Sequence, residues 1–362
     1  MQPTISTPTT ICIIRLSAIG DVCNAATLIN RIRMQWHDAN ITWICGPAEA
    51  QLLKLIPNIT IVCFDKKAGL NSYRQVYKAL HGRQFELLLH LQASLRASLL
   101  SVGIKARRRI GYHRSRAYEL QWLFTREKTD RPKGLHVVDN YQAFADYLQC
   151  PAAPVSWPFV IPESAQTQAA EKLKVFDRPF IVICPAASKA YKNWSIQGYA
   201  AVIQALQAQH YPIVLVGGPA PIELQVAQQI QTQLSQPVLN WVGQTSLAEL
   251  MVILAQAKLL ITPDTGPAHM ASAMHTPVVG LYAHHNPLRV GPYGSITLAV
   301  NHWPELIEKQ TGKPPEQLPW RSRVKDKHAM LTIMPDEVLL KVQEALSIDE
   351  TTAECEPLNQ SY

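Results

Sequence analysis

The feature that most constrains this chain is an alternation that runs twice. Short, β-branched apolar runs are separated by longer stretches with helical spacing, and the pattern breaks once, at a proline cluster, before it resumes. In the first half the strand candidates are 11–15, 41–45, 60–64, 86–91 and 108–111. Between the first two, Val22, Ala25, Ala26, Ile29, Ile32 and Trp36 follow a 3.6-residue period, which predicts a helix. Repeated βαβ units predict a parallel sheet, because parallel neighbours need a long crossover and the crossover helices then cover both faces. The stretch 151–162, PAAPVSWPFVIP, carries four prolines in twelve positions and resists helix and sheet alike, so it reads as an interdomain linker.

After the linker, strands are expected at 180–184, 213–216, 238–242, 259–262 and 278–282, with helices over 196–209, 221–234, 247–256 and 267–274. The fold class is therefore α/β, two doubly wound parallel-sheet domains in tandem, 1–155 and 156–334. The 362 residues suit two domains of ~150 residues each. A polar, proline-containing segment, 301–330, reads as a loop, 335–347 as a final amphipathic helix with an acidic start, and 348–362 as a disordered tail.

Charge is divided unevenly. Residues 1–160 carry 20 Lys+Arg against 10 Asp+Glu, and residues 161–362 carry 14 against 17. A polyanionic partner would meet the first half. The seven cysteines are odd in number and scattered, without a C-x-x-C pair, and Cys12, Cys45, Cys63 and Cys184 sit in apolar runs that read as buried strands. Reduced thiols and a cytoplasmic setting fit better than disulfides or a metal site. The first residues lack the basic region of a signal peptide, and no run approaches 18 uninterrupted apolar residues.

Four strand-end loops could carry chemistry. At 259–269, LLITPDTGPAH, an apolar strand ends and Asp-Thr-Gly opens a helix with Pro267 early in its first turn. A helix start at the carboxyl end of a parallel strand is an anion site, because its unpaired N–H groups point outward, but the same residues also suit an ordinary capped helix. His269 lies on that turn. At 13–22, IIRLSAIGDV, the corresponding loop offers Asp21, whose plain alternative is an N-cap role. The loop 184–195 offers Ser188 and the ammoniums of Lys189 and Lys192, and 216–223 places Glu223 behind a glycine turn, where it suits a ribose diol or the helix dipole. G-x-G-x-x-G and G-x-x-x-x-G-K-[ST] are both missing, which removes the main support for nicotinamide and P-loop readings.

Together, R-L-S-A-I-G-D-V at 15–22, K-N-W-S at 192–195, G-G-P at 217–219 and D-T-G-P-A-H at 264–269 resemble glycosyltransferase family 9, the ADP-heptose:lipopolysaccharide heptosyltransferases and their relatives. The motifs fall in family order over nearly the whole chain, to about Leu346. The resemblance implies a GT-B fold, two Rossmann-like domains facing a central cleft, with a C-terminal helix that often crosses back to the first domain. It implies that Asp21 is the base near the acceptor and that Lys192 contacts the donor phosphates. Glu223 would contact the ribose, and Asp264, Thr265, Gly266 and His269 would form the donor-binding turn. Ser188 stands where relatives carry threonine, and Ala187 where many have a second hydroxyl. Val242 and Gly243 are the expected adenine-lining positions.

On this reading the reaction is an inverting, metal-independent transfer, with ADP-heptose as co-substrate and no cofactor. Metal independence is expected because the chain has no D-x-D pair to bridge a diphosphate. The acceptor would be an anionic, lipid-linked saccharide of the Kdo-lipid A type, met at the inner-membrane surface of a Gram-negative bacterium. Arg107, Arg108, Arg109 and Arg114, with His136 and Asn140, are the expected acceptor-binding residues, because guanidinium groups suit carboxylates and phosphates. Two other readings stay open. One is a GT-B enzyme with another nucleotide-sugar, or an epimerase. The other is a nucleic-acid-binding protein, suggested by the basic half but without an RNP, helix-turn-helix or zinc signature.

Overall fold

The computed structural model describes residues 8–353, with side chains described to Ser347. The chain divides into two units, the first ending at Pro162 and the second beginning at Glu163. In the first unit the strands are β1 (Thr10–Ile14), β2 (Asn40–Cys45), β3 (Ile59–Cys63), β4 (Phe85–His90), β5 (Ala106–Gly111) and β6 (Glu127–Lys128). The helices between and after them are α1 (Ile19–Gln35), α2 (Pro47–Leu53), α3 (Leu70–Ala79), α4 (Leu95–Val102) and α5 (Val137–Tyr147). All neighbouring strands are parallel, in the order β3-β2-β1-β4-β5-β6.

The central strand β1 is buried along Ile11–Ile14, as a strand covered on both faces must be. Ile14 is level with Ile44 on one side and His90 on the other. One face of the sheet packs Ile14 and Leu88 against Ala97 and Leu100 of α4 and Val76 of α3. Cys63, expected to be buried, is exposed because β3 is the edge strand.

The proline-rich stretch is not a free linker. Trp157 Nε1 donates to Cys23 O at 3.0 Å, Ser156 Oγ accepts from Asn30 at 2.8 Å, and Val160 N–H donates to Leu55 O at 2.7 Å. Extended backbone imposed by proline lets it lie as a strap across the first unit. The boundary therefore falls at 162/163 rather than at 155/156.

The second unit opens with α6 (Glu163–Leu173) and continues β7 (Ile181–Ile183), α7 (Ile196–Ala208), β8 (Ile213–Leu215), α8 (Pro221–Gln233), β9 (Leu239–Asn240) and α9 (Leu247–Gln256). Then come β10 (Leu259–Pro263), α10 (Gly266–Ala273), β11 (Val278–Tyr282), α11 (Pro287–Val290), β12 (Val300–Asn301), α12 (Trp303–Thr311) and α13 (Pro335–Ala353). This sheet is also parallel throughout, β12-β11-β10-β7-β8-β9.

Two expectations for this half change. The segment 301–330 is not all loop: α12 forms with Pro304 in its first turn, buries Trp303 and Ile307, and ends on Gly312 in the left-handed region. The apolar residues Trp303, Leu306 and Ile307 at helical spacing are the signal, diluted by the polar residues around them. The final helix packs Val338, Val342 and Ala345 into the second unit's own core beside Ile183 and Leu281. It runs on past Ser347 to Ala353, into the segment expected to be tail, and 354–362 lie outside the described residues.

Candidate functional site

Both sheets are wound outward from a pair of central strands whose following loops leave in opposite directions: β1 and β4 in the first, β7 and β10 in the second. A crevice opens at the carboxyl ends of such a pair, and ligands of doubly wound folds bind there. Each unit places its notable polar side chains at that point.

In the first unit Arg15 follows β1 and is almost fully buried. Its Nη1 donates to Leu91 O, just past β4, at 2.8 Å, and its Nη2 pairs with Asp21 Oδ2 at 2.5 Å. The guanidinium lies over the ring of Tyr141, 5.9 Å from its centroid. The backbone N–H groups of Leu16 and Ser17 donate to Gln92 Oε1 at 2.6 and 3.2 Å, which ties the β1 loop to the β4 loop. Asp21 sits in the first turn of α1, where Oδ2 also accepts from Ala18 N–H at 3.4 Å. Its side chain is 39% exposed against 11% for Arg15. The cap and the chemistry are therefore compatible: Arg15 orients a carboxylate that solvent still reaches.

Helix α5 brings Tyr141 beside Arg15, with Asn140 next to it in the chain. Asn140 Oδ1 accepts from Arg116 Nε at 3.2 Å. His136 caps α5, its Nδ1 accepting from Val138 N–H at 3.2 Å while Asp139 Oδ2 accepts from His136 N–H at 3.0 Å. Arg114 is exposed on the loop after β5. These residues belong to the carboxyl end of the sheet.

The arginines 107–109 do not. Arg108 is level with Leu87, and Leu87 with Ile11. At ~3.3 Å per residue it lies roughly 10 Å short of the strand end that Asp21 follows. Arg108 makes a two-pronged bond to Glu127, with Nη2 to Oε2 at 2.5 Å, and Tyr147 OH donates to the same carboxylate at 3.0 Å. Arg109 donates to Ser101 O and Ile104 O at the end of α4. Arg107, Arg108 and Arg109, expected to bind the acceptor, lie along β5 short of that strand end, and Arg108 and Arg109 spend donors on bracing the fold. A sequence shows that arginines cluster on a strand, but not which end of the sheet they occupy.

In the second unit the switch point is bridged directly. Lys192, after β7, puts its ammonium 2.7 Å from Asp264 Oδ2 and 3.3 Å from Asp264 O, after β10. His285, after β11, bonds the same Oδ2 through Nδ1 at 2.7 Å. A carboxylate can only accept, so Nδ1 carries the proton. Burial would raise the Asp264 carboxyl, but the His285 bond and the Lys192 charge outweigh it and hold the group well below the usual carboxylate range. Burial lowers His285, and Lys192 and Arg289 add to that against the pull of Asp264. The arrangement is a lysine held by an ionised aspartate, with a histidine as second brace.

The D-T-G turn lies beside it. Thr265 Oγ1 and Thr262 Oγ1 share a hydrogen bond at 2.9 Å, Gly266 begins α10, and His269 is buried in the first turn. Ser188 is exposed, and the Ala187 N–H before it donates to Asn193 Oδ1 at 2.7 Å. After β8, Glu223 Oε2 accepts from Gly218 N–H at 2.6 Å. Burial raises the Glu223 carboxyl despite that bond. A Cβ on Gly217 or Gly218 would come within about 3.0 Å of the Glu223 oxygens, so a larger residue at either position would displace that carboxylate. Gly243, φ +75°, donates to Gly217 O at 2.9 Å next to buried Val242, so the β8 and β9 loops form one wall. In sheet order the carboxyl-edge residues run His285, Asp264, Lys192, Glu223, Gly243.

Sequence reasoning missed His285 and the roles of Arg15 and Gln92. His285 carries a weak signal: two histidines, His284 and His285, come one residue after the apolar strand 278–282. Among the described residues no group of three His, Cys, Asp or Glu side chains comes together as a metal site requires, and no helix is long and apolar enough to cross a membrane.

Comparison with known proteins gives concordant results. Residues 73–319 match the family model described as glycosyltransferase family 9 (heptosyltransferase). The chain is 38% identical over 332 residues to the lipopolysaccharide core heptosyltransferase OpsX of Haemophilus influenzae, covering 92% of this chain and 95% of that protein. It is 27% identical over 302 residues to lipooligosaccharide heptosyltransferase 2 of the same organism, covering 78% and 85%. Among solved structures it resembles a family 9 glycosyl transferase from Veillonella parvula (TM-score 0.75, 21% identity, 94% and 97% covered). It also resembles the E. coli heptosyltransferase WaaC with ADP (TM-score 0.71, 17% identity, 93% and 99% covered). These structures share the two-unit α/β fold, the GT-B architecture.

Proposed function

The chain belongs to glycosyltransferase family 9, and on that premise we propose that it moves heptose from ADP-heptose onto the inner core of a lipid-linked lipopolysaccharide. One observation carries the reading: each sheet puts its chemistry at its switch point, a solvent-reachable carboxylate in the first and a braced lysine beside a helix start in the second. The relatives are glycosyltransferases named for heptose and lipopolysaccharide, and one was solved with ADP, which supports donor and acceptor.

In the reaction Asp21 takes the proton of an acceptor hydroxyl as general base. The oxygen bonds to the anomeric carbon as the bond from that carbon to the diphosphate breaks, and ADP leaves. Attack opposite the leaving group inverts the configuration, through an oxocarbenium-like transition state. Two of the three donors of Lys192 are spent on Asp264, and the third is available to a phosphate oxygen. That ammonium and the N–H groups at the start of α10 take up the charge that develops on the leaving diphosphate. Ser188 adds a hydroxyl, Glu223 accepts from the ribose diol, Val242 and Gly243 border the adenine, and His269 packs beneath the turn.

Arg114, Arg116, His136 and Asn140 face the anionic acceptor. Transfer proceeds without a metal ion at the cytoplasmic face of the inner membrane. The test is transfer by the purified protein onto Kdo-containing lipid A, with ADP-heptose compared against UDP- and GDP-sugars, with and without EDTA. Turnover specific to ADP-heptose and indifferent to EDTA is expected. Preference for another nucleotide-sugar, or a metal requirement, overturns the corresponding part.

A further inference from the structure

Helix α4 packs Ala97 and Leu100 inward, yet its outer face is not the polar one expected of a face that meets only water. Ser98 and Ser101 point inward and are fully buried, while Leu95, Leu99 and Val102 are exposed. At ~100° per residue those three fall on one stripe. The buried serines are satisfied where they are: Ser101 Oγ donates to Ser98 O at 2.6 Å, and Ser98 Oγ bonds His90 Nε2 at 3.3 Å. The segment 119–126 repeats the pattern, with Leu120, Trp122 and Leu123 exposed. It runs alongside α4. At one end Glu119 accepts from Leu95 N–H at 2.7 Å, and at the other Arg126 joins Lys105, Arg107 and Arg109 around an open cavity of about 360 Å³. Four cations line that cavity and no carboxylate does. The bonds from Arg109 to the end of α4 place it at the edge of the apolar stripe.

Single exposed leucines are ordinary, but two adjacent apolar stripes rimmed by cations mark a contact surface. An anionic bilayer offers both complements within a few ångströms of depth, acyl chains for the stripes and phosphates for the cations. We propose that the face formed by α4 and 119–126 docks on a bilayer containing anionic phospholipid, its apolar side chains entering the headgroup boundary and its four cations binding lipid phosphates. The lipid-linked acceptor of the proposed function gives this docking a purpose, but docking itself needs no turnover.

The full-length protein is co-sedimented with vesicles of phosphatidylcholine alone or mixed with phosphatidylglycerol. Salt-sensitive binding to the mixed vesicles is expected, with little to phosphatidylcholine. The double variants Leu99→Glu/Val102→Glu and Lys105→Glu/Arg126→Glu should each reduce it by about tenfold or more. Both should still transfer to a water-soluble core acceptor, whereas Asp21→Ala should lose transfer yet bind vesicles like the parent, so the two readings fail separately. Undiminished binding by the variants overturns the proposal, as does displacement by dilute free glycerol phosphate, which would make the cavity a small-anion site. A dimer in sedimentation equilibrium that Leu99→Glu dissociates, without a change in vesicle binding, assigns the face to a second copy instead.

Discussion

Each unit sets an aspartate just past a central strand and pairs it with a cation from the same crevice, yet the two pairs are built for different work. Asp21 pairs with Arg15 and keeps 39% of its side chain exposed. Asp264 has two partners, Lys192 and His285, and is 15% exposed. The first arrangement buries the cation and presents the carboxylate; the second buries the carboxylate and braces the cation. A presented carboxylate can meet a hydroxyl, and a braced ammonium can meet a phosphate. The two pairs thus differ in exposure: in the first the carboxylate is far more accessible than its cation, whereas in the second Lys192 at 17% and Asp264 at 15% are both mostly buried.

The largest effect that would break this comparison is on turnover. Asp21→Ala should lower kcat by about 10²–10⁴-fold with donor KM nearly unchanged, since only the proton acceptor is removed. Steady-state kinetics with both substrates varied checks it, and a matching rise in donor KM would mean that Asp21 serves the donor. Asp264→Asn should behave differently. It leaves the mostly buried Lys192 without its counter-charge, so about 3 kcal/mol of stability is lost in denaturant unfolding, and donor binding weakens more than acceptor binding.

pH sharpens the same contrast. The Asp264 carboxyl is depressed in the folded protein, so its contribution is fully present above the unfolded value of ~4 and is lost as pH falls through the folded value. The stability gap between parent and Asp264→Asn should therefore be constant from neutral pH down to about 4 and shrink below it. Glu223 has the opposite sign. Its raised carboxyl disfavours the charged form, so that residue opposes folding as pH rises through the carboxylate range. Glu223→Gln should hold or raise the Tm at neutral pH while raising donor KM several-fold. The smallest effect is expected for Arg108→Ala, about 1 kcal/mol of stability from the half-buried pair with Glu127, with acceptor KM unchanged. A large acceptor KM effect there would instead support the acceptor role expected for the arginine strand.

Much of the fold and the polar strand-end loops of the second unit were legible in the chain. Most strands, the proline-rich boundary region and the D-T-G turn announce themselves, because alternating apolar runs and turn residues are local signals. What was not legible was partnership. Lys192 and Asp264 are distant in sequence and meet only because β7 and β10 are neighbours in the sheet. His285 joins them because β11 is next to β10. Trp303 and Ile307 hid in a polar segment because two buried side chains per helix suffice when the rest faces solvent.

By itself the sequence determined two parallel α/β sheets, a basic first half and which strand-end loops bear polar side chains, since spacing and composition are properties of the chain. Only the tertiary structure decided which carboxylate is presented and which is braced, and that Arg108 and Arg109 hold the fold together. Strand order and the direction of each side chain decide those matters, and both arise from long-range packing that no local pattern encodes.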